Sequence, residues 1–214
     1  MTAAAPKPTQ RRRRVQERAE ITREKLLSAA KQLFSERGFD AVSVRELEIE
    51  AGVQRNLLKY HFGSKEGMWQ AAVADLLVTI EAFRQMTDEV IRDLSPHEAL
   101  AYQIRSYVRF SAANPELSRI MMQEGKHNSW RIRWLVETML KPATLQLKET
   151  VLQDIDIEEE EFVSWYYMFI SAGSFIFSMA PEAKLLFGVD TRTDDVIDRH
   201  ARMMVEFLLS RAPE

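Results

Sequence analysis

The chain has no cysteine, only 7 glycines and 7 prolines among 214 residues, and no unbroken apolar run approaching the roughly 20 residues that cross a bilayer. Without cysteine there is neither a disulfide framework nor a thiol nucleophile. The amino end carries early arginines and lacks the apolar centre of a secretory signal, so a cytoplasmic protein with no membrane partner is expected. Also missing are a glycine-rich phosphate loop, a G-x-S-x-G elbow and the paired histidines of a metalloprotease. The four histidines, His61, His97, His127 and His200, are scattered, and Glu124 with His127 is a candidate metal pair on one helix face. Two ligands at one helix edge are ordinarily polar surface, so the sequence predicts no metal, no cofactor and no enzyme.

What is present is apolar material for a core, 46% of residues, enough for one helical domain or for a small one joined to a larger one. The overall charge of -3 conceals a division. Residues 1–66 carry 14 Lys and Arg against 9 Asp and Glu, a balance of +5, whereas residues 67–214 carry 15 against 23, a balance of -8. The basic end can meet phosphates while the acidic remainder keeps the protein soluble and off unrelated polyanions.

The densest signal is the stretch 43–65, SVRELEIEAGVQRNLLKYHFGSK. Ser43 and Glu46 form a capping box, in which each side chain reaches the other residue's backbone N–H and starts a helix. Gly52 permits the positive φ that ends it, and a second helix from about Gln54 to Tyr60 then crosses the first as a helix-turn-helix. Gln54, Arg55, Asn56 and Lys59 lie on that second helix, which is how a protein presents polar and basic groups to DNA. A supporting helix precedes it from about Arg18 to Arg37, with Ile21, Leu26, Ala30, Leu33 and Phe34 at helical spacing and Gly38 as C-cap. Phe39, Val42, Val44, Leu47, Val53, Leu57 and Phe62 are left to pack a three-helix core. Ser64 caps the next helix, with Glu66 in its first turn. Residues 1–17 read as a flexible basic arm whose Arg11 to Arg14 could follow a phosphate backbone or enter a narrow minor groove. The DNA-binding domain is expected over 18–66 and a second, helical domain over 67–214.

Beyond Lys65 the pattern is helical with short breaks, and no strand pattern competes, so the fold class is all-α. Helices are expected to about Asp93, from Ser95-Pro96 to Ala113, from Pro115 to Glu124, from Trp130 to Asp154, from Glu158 to Met179 and from Thr193 to Ser210. The run FVSWYYMFISAGSFIFSM within 158–179 is too broadly apolar for one small core. Its small residues Ser171, Ala172, Gly173 and Ser174 let helices approach, which suggests burial on two sides. The last helix adds Val196, Ile197, His200, Met203, Met204, Phe207 and Leu208 at matching spacing. The middle helices hold aromatic and flexible side chains, among them Tyr102, Tyr107, Phe110, Met122, Trp130, Trp134, Met139, Trp165 and Phe169, together with polar groups Gln103, Arg105, Arg109 and Gln123. A cavity lined by some of them would be mostly apolar with a few polar groups, as ligand sites are.

The run REKLLSAAKQLFSERGFDAVSVRELEIEAGVQRNLLKYHFGSKEGM resembles the amino-terminal domain of the TetR family of bacterial transcriptional regulators, over about residues 20–80. The RGF turn, the SVREL opening, the AGV turn and the YHFGSKE close carry the likeness. The resemblance implies that the second and third helices meet the major groove of double-stranded DNA. It assigns Ser43 and Arg45 on the second helix, Gln54, Arg55, Asn56, Lys59, Tyr60 and His61 on or just after the third, and Lys65 as a phosphate contact. Arg pairs bidentately with guanine, Gln or Asn with adenine, and Tyr, His and Lys donate to phosphate. The resemblance further implies a homodimer through the last two long helices, here Phe162, Ile170, Gly173, Phe177, Ile197, His200, Met204 and Phe207. It also implies a small hydrophobic effector among the middle helices, here Tyr102, Arg105, Phe110, Met122, Gln123, Trp130, Trp134, Trp165 and Phe169. Lys59, Leu57 and Glu48 depart from the family's usual tyrosine, small hydroxyl and small residue. A carboxylate at Glu48, between packed helices, needs a partner or an outward-leaning stem.

Overall fold

The computed structural model describes residues 10–210, all helix and connecting turns, with no strand among them. It divides between Asp75 and Leu76 into two compact units, about nine residues later than the composition suggests and inside a long helix.

The first unit holds α1 (Gln10–Arg37), α2 (Val44–Glu50), α3 (Leu57–Phe62) and the first turns of α4 (Lys65–Ile91). Helix α1 begins eight residues before the expected Arg18. Nothing between Gln10 and Arg37 interrupts it, since Arg, Gln and Glu are good helix formers and the last proline before it is Pro8. Residues 10–17 of the expected flexible arm are therefore helical, and residues 1–9 lie outside the described residues. The core of this unit is Leu26, Ala30, Leu33 and Phe34 from α1, Val42, Leu47 from α2 and Leu58 from α3. Met68, Trp69, Ala72 and Val73 of α4 complete it. Ile21, expected inside, is 47% exposed, and Leu58 rather than Leu57 is the fully buried residue of α3.

In the second unit α4 is followed by α5 (Pro96–Ala113), α6 (Pro115–Glu124), α7 (Trp130–Leu135), α8 (Lys141–Asp154), α9 (Phe162–Ser178), α10 (Ala180–Phe187) and α11 (Asp194–Leu209). Ser95 and Glu98 form the capping box that opens α5. The stretch expected as one helix from Trp130 to Asp154 carries a π-helical turn, Val136–Leu140, whose closing bond runs from the Lys141 N–H to the Val136 carbonyl. Pro142 explains it, because proline has no amide to bond Thr138 and its ring crowds that carbonyl. Helix α9 starts after a 3₁₀ turn, Glu159–Glu161. Helix α10 was not expected. Pro181 sits in its first turn and Gly188, at φ +69°, ends it. Central to this unit is α5, which packs on α8, α9 and α11. Leu100, Ile104 and Val108 meet Phe162, Trp165, Phe169 and Phe177 of α9 and Ala201, Met204 and Leu208 of α11 in one core. No single helix among the described residues is long and apolar enough to cross a membrane.

Candidate nucleic-acid interface

The capping box at Ser43 is formed. Its Oγ accepts from the Glu46 N–H at 3.2 Å, and Glu46 Oε2 accepts from the Ser43 N–H at 2.8 Å. Arg37 at the end of α1 pairs with Glu46 Oε1 at 2.9 Å and donates to the Ala41 carbonyl at 3.0 Å, tying α2 to the helix before it. The Ser43 hydroxyl, the Ser43 amide and the Arg37 guanidinium together lower the Glu46 pKa to about 2.

Between the two short helices Gly52 stands at φ +61° as expected. The second helix does not start at Gln54. Gln54, Arg55 and Asn56 form its approach, and α3 begins at Leu57, because Asn56 adopts φ +69°, the one positive φ outside glycine among the described residues. Asparagine tolerates that left-handed conformation better than other side chains do. Its side chain makes no capping bond, so the first amides of α3 need another acceptor. Glu48 supplies it. The carboxylate, 4% exposed, accepts from the Leu58 N–H at 3.1 Å across ten residues of chain, which answers what a charged group does between packed helices.

Above this buried brace stand the side chains expected to meet DNA. Ser43, Arg45, Gln54, Arg55, Asn56, Lys59 and Tyr60 are exposed, Tyr60 by 78%, and His61 and Lys65 are half-buried. Arg45, Arg55 and Lys59 have no ion-pair partner among the described residues, so their charges are uncommitted. Tyr60 and His61 meet edge to face at 5.0 Å. Lys65 Nζ lies over the Phe39 ring, 4.2 Å from its centroid, a cation–π contact that sets the ammonium on an aromatic face. Ile49, 67% exposed on α2, was not singled out in the sequence. An exposed apolar residue on a helix otherwise built for polar contact suits a thymine methyl.

In the second unit the residues expected to line an effector site stand apart from two clefts, Phe169 excepted. Trp165 and Phe169 are core residues, with the Trp165 indole N–H donating to the Leu208 carbonyl at 3.4 Å. Tyr102, Arg105, Phe110, Met122, Gln123, Trp130 and Trp134 border neither of two clefts in this unit. Those clefts lie instead between α4, α5, the π turn with α8, and α9. One, of about 140 Å³, is lined by Phe83, Arg84, Gln103, Tyr107, Gln146 and Phe169, with Thr87, Asp88, Ala143 and Leu147 at its edges. The other, of about 260 Å³, is lined by Leu77, Ile80, Glu81, Thr138, Met139 and Pro142 and shares Arg84 and Ala143 with the first. Phe169 is the one residue of the expected set that reaches a cleft. Gln103, Tyr107 and Met139 are middle-helix candidates that do the same. Glu124 is no metal ligand in waiting, since it is 3% exposed and holds Arg131 at 2.7 Å, bracing α6 to α7.

Most of the expected dimer residues also turn inward. Phe162, Gly173, Phe177 and Met204 are buried in the unit's own core, and His200 bonds the Ala172 carbonyl at 2.8 Å through Nε2. Ile170 and Ile197 are half-buried against the same core. A Cβ on Gly173 would stand 2.9 Å from two ring carbons of Tyr107, so the small residue serves an intrachain contact. Phe207 alone is mostly exposed, at 62%. Helix α9 is nonetheless apolar on both sides, as expected. Its outer face shows Val163, Tyr167, Met168 and Phe175, and α11 adds Met203 beside Phe207.

Residues 26–72 match the family model of bacterial regulatory proteins, tetR family, and residues 96–208 match that of the tetracyclin repressor-like C-terminal domain. The chain is similar to the HTH-type transcriptional regulator RutR of Escherichia coli (strain K12), 30% identical over 128 residues covering 58% of this chain and 56% of RutR. It is also similar to the probable HTH-type transcriptional regulator YttP of Bacillus subtilis (strain 168), 26% identical over 140 residues, 65% of each chain. The matches thus span less than two thirds of these relatives. In fold it is similar to the transcriptional regulator FadR from Bacillus subtilis, solved in complex with stearoyl-CoA, at a TM-score of 0.61 and 15% identity over 89% of this chain and 99% of that one.

Proposed function

The chain belongs to the tetR family of bacterial regulatory proteins, and from that premise we propose that it is a cytoplasmic, sequence-specific transcriptional repressor. It binds a palindromic operator as a homodimer and is released by a small, largely apolar effector. The observation that carries the DNA reading is the row of exposed Arg45, Arg55 and Lys59, without ion-pair partners among the described residues, beside Gln54, Asn56 and Tyr60 on a helix-turn-helix held by a buried cap. Guanidinium and amide groups there can pair with base edges, and Lys65 and His61 with phosphate.

Dimerisation is supported by the outer apolar face of α9 and α11, because a soluble monomer has little use for six such side chains in water. Two recognition helices about 34 Å apart meet half-sites one helical turn of DNA apart, and the two-fold symmetry of the dimer is the geometric reason for a palindrome. The clefts of the second unit support an effector, as does the likeness in fold to FadR with its stearoyl-CoA. Helix α4 begins in the DNA-reading unit and ends in the second, so it is the natural element to couple them. A coupling of about 1 to 3 kcal/mol gives roughly a 5- to 150-fold loss of operator affinity. A second reading, in which this unit docks another protein, is favoured by α10, whose Leu185, Leu186 and Phe187 are all exposed.

Selection from a random DNA pool should return an inverted repeat bound by two chains. Recovery of no common sequence, or of a single half-site bound by one chain, would sink the operator reading.

A further inference from the structure

We propose that the smaller cleft takes an uncharged, single-ring aromatic compound that donates one hydrogen bond, with Gln103 as its acceptor. The idea rests on the effector reading above and names the chemical class of that effector. Size comes first. The cleft measures about 140 Å³, and a protein cavity of roughly 150 Å³ holds one benzene ring. Arg84 limits it on the side of the larger cleft. Its Nε and Nη2 both donate to Glu81 at 3.1 Å, and its Nη1 donates to Gln146 at 3.2 Å, so it stands as a fixed partition.

The walls then decide the shape. Phe83, Tyr107 and Phe169 present ring surface, and each is held by a neighbour: Phe83 lies 4.5 Å from Phe110 and Tyr107 lies 4.6 Å from Phe169, centroid to centroid. Preset rings of this kind favour a flat guest. The charge balance excludes an acid. Arg84 is the one cation among the lining residues and is already engaged by Glu81 behind it, whereas Asp88 sets a carboxylate in the wall. A ligand carboxylate would sit beside Asp88 without a free partner.

Gln103 borders the cleft, and its Oε1 is buried with no hydrogen-bond partner among the described residues. The Tyr107 hydroxyl cannot meet it, since it donates to the Ile170 carbonyl at 3.3 Å. A buried acceptor left unmatched asks for a donor from whatever fills the space. Phenol is the simplest compound with the ring, the neutrality and the donor.

Calorimetric titration of the full chain with phenol, anisole, toluene and benzoate tests the proposal, followed by the same series on Gln103→Met, which keeps the length and removes the amide. Phenol should bind about 3- to 10-fold more tightly than anisole or toluene, and benzoate should bind more weakly than all three. In Gln103→Met the advantage of phenol should vanish while toluene is unchanged. The wild-type rank order needs no variant, so poor folding of Gln103→Met leaves the test intact. Benzoate equal to phenol, anisole equal to phenol, or a phenol advantage that survives in a folded Gln103→Met would each overturn the assignment. Repeating the titrations with operator DNA present separates the two readings. Phenol that binds without releasing DNA retains the ligand class and removes the effector role, whereas release by benzoate alone retains the effector role and removes the ligand class.

Discussion

Glu48 Oε1 accepts the Leu58 amide at 3.1 Å, so a side chain on the first helix of the DNA-reading pair caps the start of the second. The bond fixes where α3 begins, because Asn56 in its left-handed conformation offers no cap of its own. Glu48→Ala leaves a buried amide without an acceptor and should cost about 1 to 3 kcal/mol in chemical denaturation. Glu48→Gln keeps an oxygen acceptor and should recover most of that loss. If Glu48→Ala unfolds at the wild-type midpoint, the cap has no energetic role.

Arg55 and Lys65 should fail differently on DNA. Arg55 is exposed at the approach to α3 and has no ion-pair partner among the described residues; as it is the proposed base contact, Arg55→Ala should cost about 1 to 3 kcal/mol and relax specificity at one base position. Lys65 lies against the Phe39 ring near the start of α4 and suits a phosphate. Lys65→Ala should weaken every sequence alike and reduce the salt slope by about one. Operator titrations across a salt series distinguish the two, and identical behaviour would merge the roles.

Local chemistry made some of this fold legible and left the rest hidden. The capping boxes at Ser43 and Ser95 are four-residue signals, and both helices begin where those signals stand. The start of α3 was misplaced by three residues because its cap comes from Glu48, ten positions away, and no local pattern reports that. Helix α10 was missed although Pro181 and Gly188 bracket it. Its Leu185, Leu186 and Phe187 all face solvent, so no buried stripe marks a helical period. That most of the expected dimer residues are buried within the chain's own core was hidden for a related reason. When Phe177 and Phe175 are both apolar, periodicity cannot say that one is 0% and the other 49% exposed. The cleft was beyond reach because Phe83, Gln103, Gln146 and Phe169 meet only in three dimensions.

Glu46 gives the first unit a dependence on acid. Its pKa falls from 4.5 to about 2 on folding, chiefly through the Ser43 hydroxyl, then the Ser43 amide and Arg37. A carboxyl depressed in the folded state stabilises above its unfolded value and loses that stabilisation as pH falls through the folded one. Wild type should therefore melt above Glu46→Gln at pH 7, and the gap should close between about pH 4.5 and pH 2. Melting curves of both proteins from pH 7 to pH 2 provide the check, and a gap constant across that range would contradict the cap geometry.

Gly173 and Tyr107 form a contact that tolerates no extra carbon. Gly173→Ala places a methyl 2.9 Å from two ring carbons and should cost about 1 to 3 kcal/mol, against the small gain alanine ordinarily brings to a helix interior. Tyr107→Leu makes room for it. A double-mutant cycle should then show the pair to be less destabilised than the sum of the single changes, by about 0.5 kcal/mol or more. Strict additivity would mean that Gly173 acts through something other than this ring.

The outer face of α9 and α11 should behave as an interface and the inner face as a core, and two phenylalanines two residues apart can separate them. Phe175 is 49% exposed and Phe177 is fully buried. Phe177→Ala empties space inside the core and should cost about 3 to 5 kcal/mol of folding stability. Phe175→Glu removes an apolar side chain from the surface and should leave folding nearly unchanged, while weakening self-association by about 2 kcal/mol or more, roughly 30-fold in the dimer dissociation constant. Phe207→Glu on α11, 62% exposed, should do the same. Sedimentation equilibrium reads the association and thermal melting reads the core. Operator affinity should fall with the dimer even though every DNA-reading side chain is intact, because a single half-site loses the second binding event. Dimers that persist in both glutamate variants would place the subunit contact elsewhere.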